Sequence, residues 1–208
     1  MSMVTKPTSF RRQRKKDALR ARIVSTAIEL FSTRGIDNVT VEEIAETADI
    51  GKGTIYNYFE TKEDVIVAFI VDIERQVQAK LRSFASSKRR LDAILTDFIR
   101  LQFRLKRRHY RFTRVFLAQM FLRTEQFLPS MIEVQKVVDP PLAALFDSLQ
   151  ARGIIRRDIK LEDLILSFKT IHLGLTALWA VEGPPFQATE RLVEEQMKTF
   201  CEGIQGRP

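Results

Sequence analysis

The sequence holds one cysteine, Cys201, and two histidines among its 208 residues. A single thiol excludes an intramolecular disulfide framework and any Cys-rich zinc site, and it suits a reducing compartment. The histidines offer little to a catalyst. His109 stands beside Arg107 and Arg108, His172 sits in an apolar helical pattern, and neither has a cysteine, serine or paired-acid motif nearby. There is no Walker loop and no dinucleotide fingerprint. We therefore expect no catalytic residue, no metal site, no cofactor and no enzyme. His172 reads as a hydrogen-bonding residue of a core or pocket rather than as a metal ligand.

Long apolar runs are also missing. Met1 to Lys16 is basic, without the apolar segment that a cleavable signal peptide requires. Ile171 to Val181, the most apolar run, falls well short of the roughly twenty residues needed to span a bilayer. No stable membrane association is expected, and the location read from this is cytoplasmic. Repeats, low-complexity segments and convincing strand patterns are absent too, so the chain reads as helical throughout.

What is present is ordinary globular composition with an excess of positive charge. Hydrophobic residues make up 45% and charged residues 29%, enough for a small first domain and a second core. The formal net charge of +8 suggests a polyanionic partner, although basic surfaces also serve solubility and anionic membranes.

Thr40 to Lys62 is the most informative stretch. Thr40 with Glu43 forms a T-x-x-E capping box, so a helix starts at about Val41, with Ile44, Ala45 and Ala48 on its apolar face. Asp49, Ile50 and Gly51 then break the pattern with residues that tolerate turn geometry. Helical spacing resumes at Lys52, with Ile55 and Phe59 facing inward, which leaves Lys52, Thr54, Tyr56, Asn57 and Tyr58 outward. Two short helices around a tight turn make a helix-turn-helix, and the outward set has the chemistry of a major-groove reader. A plain helical hairpin with a polar face has the same outline.

The residues decide between the two. R-G-I-D-N-V-T-V-E-E-I-A from Arg34, followed by I-G-K-G-T-I-Y-N-Y-F-E-T-K-E-D from Ile50, resembles the DNA-binding signature of the TetR family of bacterial transcriptional regulators. The resemblance covers about fifty residues, and its Gly, Thr, Ile-Ala and K-G-T-I-Y-x-Y-F-x-x-K positions fall in register together. It implies that Lys52, Gly53, Thr54 and Asn57 lie against base edges, and that Thr40, Tyr56, Tyr58 and Lys62 hold the phosphate backbone. Asp49 stands where glycine is common in the turn, and Gly51 where serine is common as the cap. Asp tolerates a left-handed turn and Gly is an acceptable cap, but no side-chain phosphate contact is expected from position 51.

Around this stretch the chain divides into a basic flexible arm at 1–16, the helix-turn-helix domain at 17–62, and a helical effector-binding and dimerisation domain at 63–208. The arm carries Lys6, Arg11, Arg12, Arg14, Lys15 and Lys16 with no acid before Asp17; it is either a solvated tail or a DNA contact. From about Asp17 to Thr33, Ile23, Ala27, Ile28, Leu30 and Phe31 describe an amphipathic helix closed by Gly35. Thr61 and Asp64 cap a long fourth helix, with apolar positions from Val65 and Ile66 to Val77, Leu81 and Phe84. Such a helix can carry movement from a distant core to the DNA-binding head.

After a break at Ser86 to Arg90, a fifth and a sixth pattern carry Leu91 to Leu105 and Phe112 to Phe121. Interleaved are Arg100, Arg104, Lys106, Arg107, Arg108, Arg111 and Arg114, either a solvated face or the cationic mouth of an anion site. Pro129, Pro140 and Pro141 point to a helix from about Pro140 to Arg152 rather than an unbroken one from Met131. Leu161 to Val181 and Thr189 to Glu202 complete the chain. In proteins of this resemblance the last two helices meet their copy in a four-helix dimer interface, which implies a homodimer through Leu164, Phe168, Leu175, Leu192, Val193, Met197 and Phe200.

The expected fold is thus all-α. The expected function is a sequence-specific transcriptional regulator, a repressor released from a palindromic operator by a small, largely hydrophobic ligand. Phe98, Phe103, Arg104, Phe112, Phe116, Phe121, Phe168, His172 and Trp179 are the candidate pocket, although the same residues would serve as ordinary core. An activator or corepressor-dependent regulator would share every motif, and a non-specific nucleic-acid or anionic-membrane binder would use the basic segments alone.

Overall fold

A computed structural model describes residues 7–85 and 89–205 of the chain. Lys6 and the rest of 1–6, much of the Ser86–Arg90 break, and the side chains of Leu81 and Phe84 lie outside the described residues. The elements in order are α1 (Pro7–Arg34), α2 (Val41–Thr47), α3 (Lys52–Tyr56), α4 (Lys62–Ala85), α5 (Leu91–Lys106), a 3-10 turn (Arg107–His109), α6 (Tyr110–Leu122), α7 (Thr124–Ala151), α8 (Leu161–Glu182) and α9 (Gln187–Ile204). Among the described residues there is no strand; one isolated bridge pairs Ile155 with Gln205. The all-α expectation holds. Two compact units divide the chain, Met1–Phe69 and Ile70–Pro208, with the boundary inside α4.

The first unit is built on one apolar cluster. Ile23, Ala27, Ile28 and Phe31 of α1 recur at helical spacing and are fully buried, together with Ile36, Val39, Ile44, Ala45 and Ile55. Each large side chain in this set contributes roughly 1.5–3 kcal/mol by leaving water. Gly35 ends α1 at φ +83, as its position suggested, and its N–H reaches Phe31 O at 3.1 Å. The start of α1 is a correction: it begins at Pro7, not near Asp17. A proline at the first helical position costs nothing, since that N–H would have no acceptor, and its φ is already helical. Arg11, Arg12, Arg14, Lys15 and Lys16 therefore stand exposed on a helix rather than on an extended arm.

In the second unit α5 packs on α9 and α8, and α8 on α7 and α6. Its core is rich in rings, including Phe98, Phe103, Phe112, Phe127, Phe146, Phe168 and Trp179. α7 is the second correction. It runs unbroken over 28 residues with Pro129, Pro140 and Pro141 inside it. Pro141 cannot donate to Val137 O, but Gln78 of α4 donates its side-chain amide there at 2.8 Å, and Lys169 of α8 binds Asp139 at 2.7 Å in the same turn. The Gln78 bond thus replaces the one that Pro141 cannot make. Gly153, at φ +73, closes the helix as expected.

α8 also differs from its reading in the sequence. Helical across 22 residues, it is long and apolar enough to cross a membrane by length and composition, and about 33% of its most apolar window is buried. Its inward face, Leu164, Phe168, Leu175 and Trp179, is covered within the subunit, while Leu166, Leu173, Leu178 and Val181 are exposed. This corrects the expected dimer residues. Leu164, Phe168, Leu175, Val193 and Met197 are almost wholly buried by their own chain and have no surface left for a second copy. Leu192 and Phe200 remain partly exposed.

Candidate nucleic-acid interface and ligand pocket

The helix-turn-helix is held by local bonds that leave one face of α3 unused. Thr40 is the N-cap of α2: its hydroxyl accepts from Glu43 N at 3.2 Å, and the Glu43 carboxylate accepts from Thr40 N at 2.8 Å. Arg34 donates to the same carboxylate at 2.7 Å. The Arg34 guanidinium, followed by the Thr40 donors, holds the Glu43 carboxyl at about 2. Asp49 sits in the left-handed region at φ 52, so the turn is made where the sequence placed it. Gly51 caps α3 without a side-chain bond.

On α3, Ile55 is fully buried against the cluster below, which fixes the helix rotation. Lys52, Gly53, Tyr56 and Asn57 are exposed, and Thr54 and Tyr58 partly so. Asn57 is the C-cap rather than a helical residue. A methyl group at Gly53 would meet nothing within 4 Å, and its φ is not positive, so the fold does not require glycine there. Glycine inside a helix costs roughly 0.5–1 kcal/mol relative to alanine.

The expected phosphate contacts are more committed to the protein than the sequence suggested. Tyr56 donates its hydroxyl to Glu42 at 2.6 Å, which fixes the ring over α2 and keeps the Glu42 carboxyl ionised to lower pH. Lys62 donates to Ile36 O at 2.8 Å, and two ammonium hydrogens remain for other partners. Thr40 spends its hydroxyl on the capping box. The capping box was legible; the Tyr56 and Lys62 bonds were not, because they depend on how α2, α3 and the α1–α2 turn are brought together.

The candidate pocket residues separate into three groups. Phe98, Phe168 and His172 form a closed cluster: Phe98 lies 5.6 Å from Phe168, and His172 stacks on Phe168 at 6.4 Å and 7°. Burial, and then nearby Lys106, push the His172 imidazole down to about 3, so it stays neutral. Its ring nitrogen lies 3.4 Å from the Thr176 hydroxyl. Phe112 and Phe116 stack at 5.9 Å in a second cluster with Phe127. Phe121 belongs to neither and is 64% exposed, because α6 ends at the next residue.

Phe103, Arg104 and Trp179 do meet, in a cavity of about 270 Å³. Arg100, Arg107, Phe186 and Glu190 complete its wall. Phe186 and Glu190 were missed: the sequence marks Gly183-Pro184-Pro185 only as a helix stop. Phe186 adopts φ 66 at the N-cap of α9, and Glu182 folds the connection by accepting from Ala188 N and Thr189 N, each at 2.9 Å. Lys106 is a correction to the solvated basic face. Its ammonium turns inward to Gln102 at 2.8 Å near buried Glu74, and burial lowers its pKa as it raises that of Glu74. Among the described residues no cluster of His, Cys, Asp or Glu could hold a metal ion.

A capped helix, a left-handed turn and a short exposed second helix over an apolar cluster define a helix-turn-helix. Residues 23–69 match the model described as bacterial regulatory proteins, tetR family. The HTH-type transcriptional regulator RutR of Escherichia coli (strain K12) is 31% identical over 113 residues, 54% of this chain and 53% of the relative. The chain thus spans about half the length of the curated relatives it matches. The fold extends further than the sequence likeness. Fatty acid degradation regulator FadR from Bacillus halodurans superposes with TM-score 0.73 at 19% identity, over 91% of this chain and 97% of that one. Thermus thermophilus FadR, a TetR-family transcriptional repressor solved with lauroyl-CoA, gives TM-score 0.68 at 21% identity, over 91% and 96%. At these identities the likeness is one of fold.

Proposed function

We propose that this chain is a cytoplasmic transcriptional regulator that binds a palindromic operator as a homodimer and acts as a repressor released by a small, largely hydrophobic ligand. The observation that carries this reading is the unused face of α3, where Lys52, Gly53 and Asn57 stand exposed and the fold has no need of glycine at 53. Lys52 can donate to the acceptor edge of guanine, Asn57 can pair with adenine, and Gly53 lets the helix approach the groove floor. Tyr56, Tyr58, Lys62 and Thr40 supply phosphate contacts that set the register. Tyr56 and Thr40 each donate their one hydroxyl hydrogen within the protein, to Glu42 and Glu43, so each must release that carboxylate before it can donate to a phosphate.

The exposed row Leu166, Leu173, Leu178 and Val181 on α8 is the surface on which a second copy would pack, and a two-fold dimer matches an inverted-repeat operator. The effector is an amphipathic molecule whose anionic head meets the arginines of α5. A ligand that favours the conformer with badly spaced DNA-reading heads weakens operator affinity, and operator weakens ligand affinity by the same factor.

Selection of bound DNA from a random pool at near-physiological salt, followed by sequencing, tests the reading. Enrichment of an inverted repeat is the expected result. Uniform recovery, with binding lost evenly as salt rises, would replace it with non-specific polyanion binding.

A further inference from the structure

The cavity between α5, the α8–α9 connection and α9 has a chemistry more specific than an apolar effector site. Three of its rings form one stack. Phe103 lies on Trp179 at 5.1 Å and 16°, and Trp179 on Phe186 at 4.6 Å and 15°. The Arg107 guanidinium covers the end of the row, 5.2 Å from the Phe186 centroid. Three rings are thus held near parallel at one wall, with a cation over the last of them.

The charges are equally informative. Arg100 is bound to Glu194 at 2.6 Å and is neutralised there. Arg104 has no hydrogen-bond or ion-pair partner for its guanidinium among the described residues, and Arg107 meets only the ring beneath it. Against these two stands the carboxylate of Glu190. One positive charge therefore remains facing the cavity. A dianion would bring a charge that nothing compensates beside Glu190, whereas exposed Arg104 can exchange water for one carboxylate. A planar guanidinium fork matches a carboxylate through two parallel bonds. The volume, about 270 Å³, lies just below the roughly 300–1,000 Å³ of pockets that take drug-sized ligands, so the guest is small.

We propose that this cavity binds a small aromatic monocarboxylate, its ring at the edges of Phe103, Trp179 and Phe186 where they line the cavity and its carboxylate on Arg104 and Arg107. The inference names the guest of the second unit and rests on reading that unit as ligand-binding. It does not depend on DNA recognition. Glu182, by folding the connection that carries Phe186, is a positioning residue for the site.

Trp179 is the only tryptophan in the chain, so its fluorescence reports on this cavity directly. The experiment is a titration of the full-length protein, without DNA, with benzoate and 1-naphthoate, and with benzamide and cyclohexanecarboxylate as controls. The expected result is a saturable change with at least one aryl acid at a Kd of about 1 mM or lower. Neither control should match it. Arg104→Gln, an exposed position whose loss leaves the core intact, should weaken binding about tenfold or more, with partial recovery in Arg104→Lys. No saturable change up to about 10 mM would overturn the proposal. So would equal binding of benzamide or of the saturated acid, or unaltered affinity in Arg104→Gln with an unchanged melting temperature. Operator selection is scored separately, so failure of the DNA-binding reading leaves the fluorescence result intact, and the reverse also holds.

Discussion

Gln78 donates its side-chain amide to the carbonyl oxygen of Val137 over 2.8 Å, and that carbonyl is the one Pro141 leaves without a helical donor. A single side chain from α4 thus stands in for a backbone N–H of α7. Gln78→Leu should destabilise the second unit by about 0.5–1.5 kcal/mol, the net worth of a part-buried hydrogen bond. Pro141→Ala restores the N–H, so the same Gln78 substitution on that background should cost markedly less. Denaturant unfolding of the four proteins measures the coupling, and strict additivity would show that Gln78 acts elsewhere.

Gly53→Ala should separate stability from function. The added methyl meets no neighbour, and removing glycine from a helix stabilises by roughly 0.5–1 kcal/mol. Operator affinity should fall, because the methyl stands between α3 and the groove floor. A thermal melt together with operator titration checks both signs; a variant with unaltered DNA affinity would remove Gly53 from the interface.

Two classes of substitution on the first unit should behave differently. Tyr56→Phe and Lys62→Met should weaken binding to most sequences alike, with a shallower salt dependence for Lys62→Met. Lys52→Ala and Asn57→Ala should instead change which bases are selected, by about 1–3 kcal/mol at the affected positions. Repeating the selection with each variant distinguishes a lost register contact from a lost base contact.

The neutral state of His172 makes stability depend on pH. Its pKa is depressed to about 3 in the fold from an ordinary 6.5, so below 6.5 the unfolded chain takes up a proton that the folded chain refuses. Stability from this group is therefore complete above about 6.5 and is lost as pH falls toward 3, at up to about 1.4 kcal/mol per pH unit. His172→Gln cannot titrate and should lose less stability than the parent between pH 7 and pH 5. Parallel slopes in denaturant unfolding would mean that His172 gains a proton in the folded state as readily as in the unfolded chain.

Cys201 should be inert in the folded protein. It is buried, and burial pushes its thiol up to about 12, so almost no thiolate exists at pH 8. Iodoacetamide should label it only as the protein unfolds, with a rate that follows denaturant. Fast labelling of the native protein would place Cys201 outside the core.

Much of the first unit was legible because its determinants are local. A capping box spans four consecutive residues, a left-handed aspartate or glycine marks its own turn, and Ile55 with Phe59 sets the rotation of α3. α1 outran its expected start because a proline that begins a helix and a proline that prevents one look alike in sequence. α7 outran the expected break for a different reason: its missing donor is replaced by a residue of α4.

The ligand pocket and the dimer surface were less legible, since a helical pattern gives the apolar stripe but not what covers it. Leu164, Phe168 and Val193 look the same in sequence whether their own chain or a second copy buries them, and the structure assigns them to their own chain. Arg104 and Lys106 differ by two positions, yet one ammonium turns into the core and one guanidinium remains at a cavity.

By itself the sequence determined the helical fold, the capped turn and the outward chemistry of α3, because neighbours along the chain decide these. Only the tertiary structure decided that Phe186 meets Trp179, that Gln78 completes α7 and that the exposed row of α8 is Leu166, Leu173, Leu178 and Val181. Gln78 and Val137 lie 59 residues apart, Trp179 meets Phe186 only because the chain reverses after α8, and no local periodicity encodes which surface fills a given gap.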